Sequence, residues 1–323
     1  MHLGIFAKTF PRPTLEETLD AVAGHPLTHV QFNMTCAGLP TLPDRIDEDL
    51  CVWIARLFQE RGMAMAAISG TFNLCDPDTA RLQDNLRRLD ILAAACRWLD
   101  TRIITICTGT LDPEDMWKWH PDNVRRTTWE TLVDSVRAAI KVADRNEVTL
   151  AFEPEMHNVV NSVSKARRLL DEIDSRWLKI VIDPANLIHP GERSRIAEIL
   201  DEVFDWLGRD IILAHAKDPR FDELNDDAVA AREFLNCGEA NSSFSHVMWD
   251  MSRKGRRSDD APELRESLMR RIFYFWGFYR RYMSWLKKIE YTGAVVMHGL
   301  NEFEVQANTV FLQRVIQWSL KER

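Results

Sequence analysis

Three short apolar runs between Thr149 and Asp218 constrain this chain most: LAFEPE (Leu150–Glu155), IVIDPAN (Ile180–Asn186) and ILAHAKD (Ile211–Asp218). Each ends in residues able to hold a metal ion, and helix-like sequence of similar length separates them. Successive side chains of a strand point to opposite faces, so Glu153, Asp183 and His215 need only the right register to face one centre. Two carboxylates and an imidazole suit a borderline divalent metal such as Mn²⁺, Fe²⁺, Co²⁺ or Zn²⁺.

The same alternation runs from end to end. Leu3–Phe10, His29–Met34, Met65–Asn73 and Arg102–Gly109 read as strands one to four, the three runs above as strands five to seven, and Ala294–Leu300 as strand eight. Between them lie helical stripes, such as Leu82, Leu86, Leu89, Ala93 and Cys96, or Ile196, Ile199, Leu200, Val203 and Leu207. Thr14 with Glu17 marks a helix start, Gly62 a helix stop, and Glu302–Leu320 a closing helix. Eight strand–helix units without a break in composition predict a single (β/α)8 TIM barrel over residues 1–323. A doubly wound open sheet is the competing topology, and its nucleotide-binding form lacks a GxGxxG after the first strand.

Strands seven and eight are joined by a long insertion, 219–290. Pro219–Asp260 is polar and charged. From Ala261 a long amphipathic helix is expected, with Leu264, Leu268, Ile272, Trp276, Tyr279, Met283 and Leu286 on one face. Its FYFWGFYRRY run interleaves aromatics with arginines. That pattern suits a lid or a contact in a homo-oligomer better than a nucleic-acid patch, because the chain carries a net charge of -8. No membrane partner is expected, since no uncharged apolar run is long enough to cross a bilayer and no signal peptide is evident. The six scattered cysteines, with no CxxC pair, read as reduced thiols in a cytoplasmic protein.

In a barrel the chemistry sits at the carboxyl ends of the strands. Glu153 and Glu155 share a face on strand five, Asp183 and Asn186 follow strand six, His215 and Lys217 share a face on strand seven, and His298 ends strand eight with Glu302 just beyond. Asn73 and Lys8 sit at other strand ends, and Trp117–Pro121 is a candidate apolar wall. Singly, each has an ordinary explanation: a cap, a turn, a salt bridge or a satisfied core histidine. Jointly, inward charges at one end are costly without a cation.

The segments AFEPE, VIDPANL and AHAKD, with SGTFN and CTGT at strands three and four, resemble the xylose isomerase-like barrel superfamily, the sugar phosphate isomerase/epimerase group. The resemblance spans most of the chain, although the insertion around Pro219–Asp260 departs from its compact form. It implies a divalent metal, Mn²⁺ first with Mg²⁺, Co²⁺ or Zn²⁺ as alternatives, held by Glu153, Asp183, His215 and a fourth residue from strand eight. Many members carry a glutamate there that doubles as an acid/base; the matching residue here is His298, and Glu302, four residues on, is the candidate catalytic carboxylate in its place. The resemblance further implies Glu153 as ligand and base, proton abstraction next to a metal-bound carbonyl, and an enediolate leading to isomerisation or epimerisation of a small-molecule sugar or sugar derivative. Lys217 is expected to stabilise the enediolate charge. Glu155, Asn186, Asn73 and Lys8 are expected substrate contacts, with Glu155 an alternative base. A lyase eliminating water from a keto-sugar or keto-cyclitol, a barrel endonuclease and a non-catalytic sugar-binding barrel stay open. The acidic balance and the few inward histidines speak against the endonuclease.

Overall fold

Each apolar run forms a short parallel strand, and the eight pair in sequence order until the last closes on the first. In the computed structural model, which describes residues 1–189, 191–217 and 276–321, the strands are β1 (His2–Phe6), β2 (His29–Phe32), β3 (Ala64–Ser69), β4 (Ile103–Cys107), β5 (Thr149–Glu153), β6 (Leu178–Ile182), β7 (Ile211–Ala216) and β8 (Ala294–Met297). Every neighbouring pair is parallel, and β1 with β8 completes a closed barrel. The helices outside it are α1 (Leu15–Ala23), α2 (Glu48–Glu60), α3 (Thr79–Ala95), α4 (Arg126–Asn146), α5 (Val163–Ile173), α6 (Ile196–Leu207), α7 (276–288) and α8 (Val305–Lys321). The expected (β/α)8 architecture is present.

Local chemistry sets the helix ends. Thr14 accepts from the Glu17 amide at the start of α1, Asp78 from Ala80 and Arg81 at α3, and Ser162 from Lys165 at α5. Gly62, at φ +64°, lets the chain leave α2 and enter β3. The strands are shorter than the apolar runs that mark them. β1 stops at Phe6, where Ala7–Thr9 turns into a 3-10 helix at the barrel mouth. Met65–Asn73 likewise pairs only through Ser69, opposite Thr105, while β4 continues against β5 to Cys107.

The barrel interior holds a small apolar layer, Ala67, Ala151, Val181, Leu213, Ala294 and Val296, separate from the large core between strands and helices. Glu153, Asp183, His215 and His298 each stand two residues beyond a member of that layer. Strand alternation therefore carries all four to the inward face at the carboxyl end.

The expected long helix from Ala261 lies largely outside the described residues. So do Leu264, Leu268 and Ile272, the polar segment Pro219–Asp260 and Asp218. Within α7, Tyr279, Met283 and Leu286 are buried as the stripe requires, and Phe278 and Tyr282 join them. This half of the aromatic run packs within the chain: Tyr282 lies 5.9 Å from Phe204 of α6, ring centre to ring centre, and Phe311 of α8 meets Tyr279 edge-on at 5.5 Å. Its arginines are engaged as well, Arg281 with Asp201 and Arg280 over the Trp318 ring. No helix among the described residues is long and apolar enough to cross a membrane.

Candidate metal centre

Asp183 follows the last residue of β6 and caps the 3-10 turn Pro184–Leu187. Its Oδ1 accepts from the Ala185 amide at 3.1 Å. That bond fixes the carboxylate and leaves Oδ2 buried with no hydrogen-bond partner. Next door on β7, His215 places Nε2 2.7 Å from Gln31 Oε1, while its Nδ1 is also buried and unpartnered. Glu153, ending β5, has Oε1 held by the Asn186 amide at 2.6 Å and Oε2 3.5 Å from His215 Nδ1. One ligand atom from each of Glu153, Asp183 and His215 lies within 4.8 Å of the other two.

Buried polar atoms without partners are rare in folded proteins. Among the described residues they are Asp183 Oδ2, His215 Nδ1, His298 Nδ1 and Thr309 Oγ1, and the first three stand at the ends of β6, β7 and β8. Two carboxylate oxygens and a ring nitrogen, converging with lone pairs unused, fit a divalent cation of the borderline class.

The electrostatics agree. Burial pushes Asp183 up to about 6, with the Glu153 charge adding to the rise and Lys217 opposing it. At Glu153, burial also works against the charge, but the pull of the His215 ring in its protonated form, with Lys217, holds the carboxyl below its usual range.

Lys217 connects to both sides of this group. Its Nζ donates to Asn186 Oδ1 at 2.8 Å and lies 3.9 Å from Asp183 Oδ2. Asn186 thus accepts from Lys217 and donates to Glu153, a bridge that fixes its amide. Glu155 is almost fully buried just beyond β5, accepting at Oε2 from the His157 amide at 2.8 Å and from Asn158 Nδ2 at 3.1 Å. Burial pushes it up to about 7 despite the His157 amide.

Other expected residues sit differently. His298 is half-buried and stacks face to face on His215, ring centres 5.2 Å apart, with Phe6 stacked at 5.6 Å. It stands outside the three-residue group, and burial pushes it down to about 3, so it is neutral at pH 7. Glu302 lies in the loop before α8, bound by both terminal nitrogens of Arg12 at 2.8 and 2.5 Å. Asn73 is buried with its whole amide engaged, Oδ1 by the Cys75 and Thr110 amides and Nδ2 by Thr110 O. Lys8 is exposed in the Ala7–Thr9 turn. Trp117 is 45% exposed in the loop after β4.

Sequence reasoning passed over Gln31, His157 and Asn158. Gln31 had a signal, an amide inside the apolar run HVQFNM. Asn158 had none, since its role depends on the loop after β5 folding back to the Gly109 amide at 2.6 Å.

The family model of the xylose isomerase-like TIM barrel matches residues 19–302. The chain belongs to this family. Among curated relatives, inosose dehydratase of Salmonella typhimurium is 24% identical over 136 residues, 39% of this chain; the match spans only 43% of the relative's length. Solved structures with this fold include a probable 3-DHS dehydratase from Bacillus anthracis, at TM-score 0.67 and 13% identity over 97% of this chain and 99% of that one. An L-ribulose 3-epimerase aligns at TM-score 0.65 and 13% identity, covering 99% of this chain and 96% of its own. The IolI protein, crystallised with a zinc atom, aligns at TM-score 0.59 and 12% identity, covering 99% and 96%. At these identities the likeness is one of fold. Solved structures that share this fold thus include an epimerase and a probable dehydratase.

Proposed function

We propose that this member of the xylose isomerase-like family is a divalent-metal-dependent enzyme that abstracts a proton next to a carbonyl of a sugar or sugar derivative, giving isomerisation or epimerisation. The observation that carries the proposal is the pair of buried, unpartnered atoms, Asp183 Oδ2 and His215 Nδ1, facing Glu153. A divalent ion held there supplies a Lewis acid that polarises the carbonyl and acidifies the adjacent C–H. Mn²⁺ is the first expectation, with Mg²⁺, Co²⁺ or Zn²⁺ as alternatives.

Glu153 is the proposed base: it is ionised, and its Oε1 is already oriented by Asn186. Lys217 brings an ammonium to the same side of the triad, suited to the negative charge of an enediolate. Glu155, poised near 7, exists in both protonation states at neutral pH and is the proposed second proton carrier. Asn186 and Lys8 are proposed to contact substrate, and Asn73 to act through the loops it ties together. His298 remains a proposed fourth ligand from strand eight. Glu302 reaches the chemistry only by leaving Arg12.

A lyase is favoured by a separate observation, the histidine at the end of β8, which leaves an epimerase without a second carboxylate there. In a dehydration, the C–H proton passes to Glu153, the neighbouring C–O bond breaks, and protonated Glu155 delivers the proton that releases water. One assay separates the two. Reconstituted protein is incubated in D2O with keto-sugars and keto-cyclitols, and products are read by NMR. Deuterium at the carbon of an epimer or isomer supports the first; an unsaturated product with loss of water supports the second. Metal content is measured in parallel: one ion per chain that survives Glu302→Ala and is lost in Asp183→Ala fits the site, and a reconstituted protein that holds no ion overturns the proposal.

A further inference from the structure

We propose that Gln31 is a positioning residue of the metal centre, holding His215 in the one tautomer that offers Nδ1 to an ion. The inference rests on the metal-site proposal above and names how that site is prepared. Gln31 stands on β2 and His215 on β7, with β1 and β8 between them in the barrel, so their contact crosses the barrel interior.

In the structure the Gln31 amide turns its oxygen to His215 and its nitrogen to two hydroxyls, which accept from it. Oε1 lies 2.7 Å from His215 Nε2. Nε2 lies 3.3 Å from Ser69 Oγ on β3 and 3.4 Å from Thr105 Oγ1 on β4. All four side chains are buried. An amide oxygen only accepts, so a neutral His215 carries its proton on Nε2 and leaves a lone pair on Nδ1. That nitrogen has no partner and faces Glu153 Oε2 at 3.5 Å. Two lone-pair atoms in that relation repel unless a cation joins them. The opposite tautomer directs Nδ1–H at Glu153, closes the pair on itself and leaves the ring nothing to give an ion.

Metal-binding histidines usually pass their second N–H to a carboxylate, a carbonyl or water. Here the acceptor is an uncharged amide. It sets the tautomer without adding a third negative charge beside Glu153 and Asp183, a burial that would itself be costly.

The test compares the wild-type chain with Gln31→Met, which keeps length but removes the acceptor, and Gln31→Glu, which restores an acceptor. Each protein is stripped with chelator and titrated with Co²⁺, read by the visible absorption of the bound ion and by competition with an indicator. The expected result is a loss of about ten- to hundredfold in affinity for Gln31→Met, with a wild-type circular dichroism spectrum, and affinity at least as high as wild type for Gln31→Glu, whose carboxylate accepts from Nε2–H and adds negative charge beside the ion. A merely structural role would penalise both variants. Histidine-selective ¹⁵N NMR of the stripped wild type, with the His215 signals assigned by their absence in His215→Ala, is expected to show the proton on Nε2, and it decides the matter should Gln31→Met not fold. Affinity of folded Gln31→Met within about twofold of wild type, or a proton found on Nδ1, overturns the inference while the metal centre stands. Failure of the wild type itself to take up Co²⁺ overturns both.

Discussion

Burying the Asp183 carboxylate while leaving Oδ2 without a hydrogen-bond partner costs free energy that Lys217, 3.9 Å away, returns only in part. The cost depends on charge, so it depends on pH. Asp183 is raised toward about 6 in the folded chain and titrates near 4 when unfolded. The folded state therefore holds the extra proton between those values. Stability from this group is complete below about pH 4 and is lost as the pH climbs through about 6. Asp183→Asn keeps the oxygen that caps Ala185 but has no charge to bury. In urea titrations of the metal-free proteins, the variant is expected to gain on wild type as the pH rises from 4 to 6, by about 3 kcal/mol at most, and to hold that lead above pH 7. A stability difference that stays flat across this window would show that the carboxylate is not strained by burial. With saturating metal the order should reverse, because the variant has lost a ligand.

Strands and their following loops convert alternation into geometry. Gly109, just past β4, has φ +72°, and a Cβ there would fall 1.9 Å from Asn73 Oδ1. Asn73 in turn accepts from Cys75 and Thr110 and ties the loop of β3 to that of β4. The Gly109 amide donates to Asn158, whose own amide holds Glu155. Gly109→Ala is therefore expected to cost about 2 kcal/mol or more and to displace Glu155 as well. Urea denaturation reads the first effect and the pH profile of turnover the second; a variant matching wild type in both would separate these loops from the site. On the other side of the barrel, the Tyr282 hydroxyl of α7 lies 3.1 Å from His215 O and 3.3 Å from Ile182 O. The helix that returns the chain to β8 thus braces the ends of β6 and β7, beside Asp183 and His215.

For the whole molecule, a cation bound by residues of β5, β6 and β7 ties together distant parts of the chain, and only the closed barrel assembles that set. An ion that binds the folded but not the unfolded chain adds about 2.7 kcal/mol when present at a hundred times its Kd. Chelation should lower the melting temperature of wild-type protein and leave Asp183→Ala unmoved, as differential scanning calorimetry would show. Equal melting with and without chelator in the wild type would remove the ion from the stability of this fold. The barrel and the convergence of Glu153, Asp183 and His215 were legible in the chain because both follow from local periodicity. Short continuous apolar runs separated by helical stripes specify strand and helix, and the alternation of side chains along a strand then gives the inward face without knowledge of any distant contact. Distances across the barrel are another matter, since they depend on how all eight strands tilt and stagger when the sheet closes. Tertiary structure alone set His298 in a stack on His215 outside the triad, gave Glu302 to Arg12, spent the Asn73 amide on two loops, and brought Gln31 of the second strand to the histidine of the seventh.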